Sequence, residues 1–124
     1  DEYRTAVRQL LSRMAAPPAD VAVVEIGASP LEPYNGSVAL REMQDALAMT
    51  ILCTSDPYAV LGVETAFDML SPDLVTGIAT NTAAGVALLE QLTDRPALNI
   101  LDKDTHDRLD ALLRERLRLG TSPD

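Results

Sequence analysis

Val21-Ala-Val-Val-Glu25-Ile-Gly27-Ala-Ser29-Pro30-Leu-Glu-Pro33-Tyr34-Asn35-Gly36 is the stretch on which the reading of the fold turns. Its first half is apolar and β-branched with no periodic polar break, the pattern of a strand buried on both faces of a parallel sheet. Its second half is built from turn-formers: Gly27, Ser29, Pro30, Pro33 and Asn35-Gly36. A strand over about Asp20 to Gly27 is therefore expected, followed by an irregular segment. Glu25 then stands where the strand leaves the sheet, the edge at which α/β folds gather their ligands.

Upstream, Tyr3, Val7, Leu10, Leu11 and Met14 form one apolar stripe with Arg4, Arg8 and Arg13 between them, which predicts a helix from Asp1 to Ala15. Pro17-Pro18 stops it. Downstream, Val38, Met43, Ala46 and Leu47 mark a short helix between Gly36 and Ala48. The apolar run Met49 to Thr54 reads as a second strand, ending at Ser55-Asp56-Pro57, where an Asp able to cap precedes a Pro suited to the first helical turn. Val60, Leu61, Val63, Phe67 and Leu70 give that helix its inner side, and Ser71-Pro72 ends it.

Leu74 to Thr80 is the expected third strand, its Gly77 leaving room for a close approach. Asn81-Thr82 precedes a helix carrying Val86, Leu88, Leu89 and Leu92, and Ala97 to Leu101 is the fourth strand. Asp102 or Asp104 caps a last helix with Leu109, Leu112, Leu113 and Leu117, closed by Gly120. Strands that start about 25 residues apart with a helical pattern between them follow the cadence of βα units. The expected fold is α/β: a parallel sheet of about four strands with helices on both faces, a Rossmann-like three-layer sandwich. One domain over residues 1–120 and a loose tail over 121–124 complete the expectation.

Composition narrows the function. Hydrophobic residues make up 47% of the 124 residues and aromatics 3%, so the core is packed from aliphatic side chains and offers no stacking platform for nucleic-acid bases. A formal charge of −9 argues further against a nucleic-acid partner. No apolar run reaches the ~20 residues of a membrane span, and the N-terminus lacks the order of a signal peptide. The lone Cys53, inside an apolar run and without zinc spacing around it, reads as a buried structural thiol. Together these features suit a cytoplasmic protein.

The strand ends would bring Glu25, Gly27 and Ser29 together with Thr54, Ser55 and Asp56, with Thr80, Asn81 and Thr82, and with Asp102. Helix N-termini opening on the same edge favour an anionic ligand such as a phosphate. Asp56, Thr82 and Asp104 are equally read as plain helix caps. Burying Glu25 at the end of an apolar strand costs several kcal/mol unless a partner or a cation such as Mg²⁺ meets it, or unless it reaches solvent or an Arg at the sheet edge. His106 and the arginines Arg108, Arg114, Arg116 and Arg118 read as a solvated face of the last helix.

Val-Val-Glu25-Ile-Gly27-Ala-Ser-Pro30, Leu74-Val-Thr-Gly77-Ile-Ala-Thr-Asn81 and Pro96-Ala-Leu-Asn-Ile-Leu101 resemble segments of the dethiobiotin synthetase-like P-loop proteins. Related P-loop proteins also share the Asn81-Thr82-x-x-Gly85 type of turn. The resemblance spans roughly residues 20–102 and implies that Glu25 is a Mg²⁺ ligand and that Asn81 reads adenine, with Mg²⁺ and ATP as cofactors; Gly27, Ser55, Thr80 and Thr82, gathered at the same strand ends, are the further expected nucleotide contacts. Ile26 stands where that family carries Gly, and no G-x-x-x-x-G-K-[ST] occurs. The chain is accordingly expected to be the carboxyl-terminal half of a P-loop ATPase or ligase-like protein, inactive alone, with its phosphate loop supplied by an upstream domain. The competing expectation is a non-catalytic regulatory or oligomerisation module, with the surplus apolar residues Val60, Leu61 and Val63 on an interface.

Overall fold

The structure, a computed structural model, describes residues 2–16, 19–67 and 70–118. The chain divides into two compact units, Asp1–Leu47 and Ala48–Asp124. Residues 17–18, 68–69 and the expected tail with Gly120 lie outside the described residues.

The first unit contains α1 (Glu2–Met14) and α2 (Gly36–Met43), the latter continued by a 3₁₀ turn, Gln44–Ala46. The apolar stripe of α1 forms as its spacing dictates, yet the helix buries no residue completely. It is held to α2 by charge as well as by packing: Arg4 Nε and Arg8 Nε lie 2.8 and 2.6 Å from the two carboxylate oxygens of Glu42. Both arginines are largely in solvent, so each pair contributes at most about 1 kcal/mol. α2 starts after Asn35, whose φ of 64° is a left-handed conformation that Asn tolerates. Its inner side is Ala39, Leu40 and Met43.

The expected first strand does not form. Residues 21–27 belong to no strand, and Val23 is 91% exposed, with Val21 and Val24 also in solvent. β-branched residues favour extended backbone, whereas a strand also requires a neighbour to complete its ladder. No β-bridge reaches this segment among the described residues.

The second unit runs β1 (Ile51–Cys53), α3 (Pro57–Ala66), β2 (Leu74–Thr76), α4 (Ala83–Thr93) and α5 (His106–Leu117). β1 and β2 are parallel, with Ile51 opposite Leu74, Leu52 opposite Val75 and Cys53 opposite Thr76. A parallel pair needs a crossover, and α3 supplies it: the Asp56 side chain accepts from Tyr58 N at 2.9 Å and Ala59 N at 3.1 Å, and Pro57 occupies the first turn. α4 starts in the same way, with Thr82 Oγ1 accepting from Gly85 N at 3.0 Å. Val60, Val75, Leu89 and Ala97 are buried together as the core, with Leu52, Ala79 and Val86 packed against them.

A four-stranded Rossmann-like sandwich is thus not what this sequence builds. Most described residues are helical, and the sheet has two short strands. The third expected strand stops at Thr76, because Gly77 turns the chain with φ 103° into a 3₁₀ turn, Ile78–Thr80. The fourth is reduced to one parallel bridge, Val75 to Ala97, where Val75 N donates to Pro96 O and Leu98 N to Val75 O. Beyond it, Asn99 breaks the ladder with local bonds, its Oδ1 accepting from Leu101 N and its carbonyl from Asp102 N.

Val23→Asp is expected to change stability by less than about 0.5 kcal/mol, as for an exposed position. Val75→Asp, a charge placed at a site of 0% exposure, is expected to abolish folding. Urea denaturation followed by circular dichroism distinguishes the two.

Candidate functional site

The carboxyl end of the β1–β2 pair is shaped by one close approach. Thr54, just past β1, donates its N–H to Thr76 O at 2.9 Å and accepts at its carbonyl from Ala79 N at 3.1 Å. The chain can fold over Thr54 only because residue 77 has no side chain: a Cβ there would lie 2.6 Å from Thr54 O and 2.8 Å from Thr54 N. Gly85 has a related role in α4, since a Cβ there would run into the Ala79 carbonyl. Thr80, wholly buried, fastens the turn by donating from Oγ1 to Gly77 O at 2.8 Å.

Beside this turn lies a cleft of about 230 Å³, lined by Cys53, Thr76, Gly77, Ile78, Asn81, Asn99, Ile100 and Leu101. Its walls are mainly apolar. No charged side chain lines it, and three of its polar groups have hydrogen-bonding capacity left. Thr76 is 1% exposed and its Oγ1 has no hydrogen-bond partner among the described residues. The exposed Asn81 makes only a backbone bond, its N–H donating to Ile78 O, and Asn99 uses Oδ1 but not its amide nitrogen. A buried hydroxyl left without a partner costs about 1–3 kcal/mol, and such groups in folded proteins are few.

Of the candidate ligand-binding residues named from the sequence, Asn81 alone lines this cleft. Thr80 is held by its own turn, and Thr82 is occupied as the cap of α4. Ser55 is exposed in the turn between β1 and α3, where Thr54 Oγ1 and Asp56 make the local hydrogen bonds. Asp102 caps the 3₁₀ turn Lys103–Thr105 by accepting from Asp104 N at 3.1 Å. His106 is exposed, with Nε2 3.0 Å from Ile100 O.

Glu25 and Gly27 belong to the first unit. There they border a groove of about 250 Å³ formed with the apolar side of α1, α2 and Tyr34. Both residues are exposed, and Ser29 is engaged locally, its N–H donating to Glu32 Oε2 at 2.9 Å and its Oγ accepting from Leu31 N. The argument that a buried Glu25 needs a cation loses its premise, because the carboxylate is in water. No group of three or more His, Cys, Asp or Glu side chains placed to hold a metal ion occurs among the described residues.

Several lining residues were not anticipated. Cys53 was expected to be a buried thiol; it is exposed. Thr76 reads in sequence as one strand residue among others, and only its burial without a partner sets it apart. Asn99 had a visible signal, a polar amide inside the apolar run Ala97 to Leu101. No helix among the described residues is long and apolar enough to cross a membrane. The chain matches no protein-family model, no curated protein and no solved structure.

Gly77→Ala is expected to cost about 2–4 kcal/mol, from the unfavourable φ together with the collision with Thr54. Gly62→Ala, inside α3 with open space where the Cβ would go, is expected to stabilise by about 0.5–1 kcal/mol. The pair of denaturation midpoints, moving in opposite directions, checks the account of the turn.

Proposed function

We propose that residues 48–118 bind the base of a nucleotide or nucleoside at the carboxyl end of the β1–β2 pair. In this reading the chain is the non-catalytic half of a P-loop-type nucleotide-binding protein, whose phosphate loop is supplied from elsewhere. The carrying observation is the cleft itself: apolar walls, with Asn81 lining it and the Asn81 side chain without a hydrogen-bond partner among the described residues. Carboxamides suit base edges, since one group donates and accepts side by side. At about 230 Å³ the cleft falls just below the ~300–1,000 Å³ of ordinary small-molecule sites, which fits one ring system better than a whole dinucleotide. The resemblance of Leu74 to Asn81 to the base-reading strand of the dethiobiotin synthetase-like proteins supports the same assignment.

Neither a nucleophile paired with a base nor a phosphate-cradling loop lines the cleft among the described residues, and binding rather than catalysis is the role of this chain in this reading. Glu25 holds no Mg²⁺ in this reading; a cation would enter with the phosphates and their loop. A reducing, cytoplasmic compartment suits the exposed thiol of Cys53.

A second reading, self-association, is favoured by one observation. Thr50, Leu52 and Thr54 face β2 in the ladder, so the backbone N–H and C=O groups of Ile51 and Cys53 point away from it, beside an Ile51 side chain that is 48% exposed. No charge or proline guards the edge from Met49 to Ser55. Light scattering of the wild type and of Ile51→Lys tests it: a dimer that becomes a monomer in the variant supports pairing through β1, and a wild-type monomer removes the reading.

Titration of the chain with adenosine, followed by amide NMR shifts, tests the leading proposal. Shifts clustered at residues 76–81 and 99–101 are expected, with Asn81→Ala weakening binding about tenfold or more. No saturable shift in the wild type, or unchanged affinity in Asn81→Ala, overturns it.

A further inference from the structure

We infer that the outer sides of α3 and α4 together form an interface at which two copies of this chain pair. The inference goes beyond the base-binding reading and does not depend on it: none of the residues of this surface lines the cleft or belongs to β1.

The two helices pack against each other and bury one side each in the same core, Val60 of α3 and Leu89 of α4 with Val75 of β2. Their other sides therefore face outward together. On α3 the exposed side carries Tyr58, Leu61, Gly62 and Thr65; on α4 it carries Ala84, Ala87, Leu88, Gln91 and Leu92, at the spacing of one helical face. Tyr58, Leu88 and Leu92 are 76%, 46% and 42% exposed. Of the surplus apolar residues expected on an interface, Val60 and Val63 close the core and Leu61 stays outside with these. A helix that is apolar on all sides is one that is covered on all sides, and α3 and α4 are covered on one.

Charge decides what covers them. No exposed residue of either helix is charged. Each helix has one charged side chain, Glu64 and Glu90, whereas α5, of similar length, has six. Both glutamates are engaged by arginines from outside the two helices: Arg95 Nε lies 2.9 Å from Glu64 Oε1, and Arg108 Nη2 lies 2.8 Å from Glu90 Oε1. A basic partner would find no free carboxylate on this face. An acidic partner or an anionic lipid surface would find no Lys or Arg there and would be repelled by a chain of formal charge −9. A second copy meets the requirement, because two-fold pairing sets the neutral face against itself and opposes no like charges. Gly62, Ala84 and Ala87 let helices approach closely, and the Thr65 hydroxyl already donates to Leu61 O at 2.7 Å, so covering it breaks no bond. Helices of 10 and 11 residues side by side give a face of about 15 by 20 Å. That is below the ~800 Å² per partner of a standard interface, so the dimer is reversible, with a dissociation constant in the micromolar range.

Analytical ultracentrifugation of the whole chain from about 10 μM to about 1 mM is the test. Leu88→Lys, Leu61→Lys and Gln91→Glu alter the face, while Ile51→Lys and Val23→Asp alter exposed apolar positions elsewhere. The wild type is expected to pass from monomer to dimer as concentration rises. Each Lys variant of the face is expected to raise the dissociation constant about tenfold or more with an unchanged circular dichroism spectrum, and Ile51→Lys and Val23→Asp are expected to dimerise as the wild type does. Gln91→Glu keeps the size of the side chain and adds only charge, so it decides the matter should a Lys variant lose its fold; it too is expected to weaken the dimer. Unchanged dimerisation in the folded face variants overturns the inference. So does a dimer lost in Ile51→Lys and kept in the face variants, which assigns pairing to the β1 edge. A wild type that stays monomeric throughout also overturns it, and flotation of that monomer with phosphatidylcholine vesicles would give the face to a neutral lipid surface instead.

Discussion

The second unit depends on the contact between Thr54 and the turn that follows β2. Thr54 closes the sheet with its N–H and receives the 3₁₀ turn with its carbonyl, so one residue fixes both strand register and the direction in which the chain leaves β2. Gly77 makes this possible by having no Cβ, and Thr80 then holds the turn closed. The start of α4, the position of Asn81 and the burial of Thr76 all follow from that turn. At the other end of β1, Asp73 has the matching part: its Oδ2 accepts from Thr50 N at 2.8 Å, and its N–H and that of Leu74 donate to Thr50 O. A sheet of two short strands keeps its register because its ends are tied, while Val60, Val75, Leu89 and Ala97 exclude water from its middle.

Much of the second unit was legible in the sequence because its signals are local. Asp56-Pro57 and Thr82 start helices where capping chemistry puts them, and the runs at Met49 and Leu74 each yield a strand. The expectation that Gly77 admits a close approach identifies the right residue, and the approaching group is the backbone of Thr54. What the sequence could not carry was partnership. Residues 21–26 have the composition of a doubly buried strand, yet 21–25 stay exposed, since composition states a preference for extended backbone and says nothing of a neighbour. The Ala97 to Leu101 run is also mainly apolar and keeps one bridge, because Asn99 diverts the chain into a turn.

The site shows the same division. Asn81 was accessible to sequence reasoning through its place after a strand and before a helix, whereas Thr80 and Thr82, its neighbours with similar chemistry, are engaged in turn and cap. Only three-dimensional accounting separates a polar side chain with a partner from one without. Glu25 illustrates the converse: a carboxylate is costly only when buried, and the burial assumed for it belonged to a strand that does not form.

The 3₁₀ turn after the cleft carries Lys103, the one lysine of the chain, and the cleft itself holds the one cysteine, Cys53. Both are exposed. The molecule therefore comes with two chemically distinct handles in its second unit, an amine and a thiol, each addressable without altering any other side chain. A dye pair placed on them would report distances across this one region in solution.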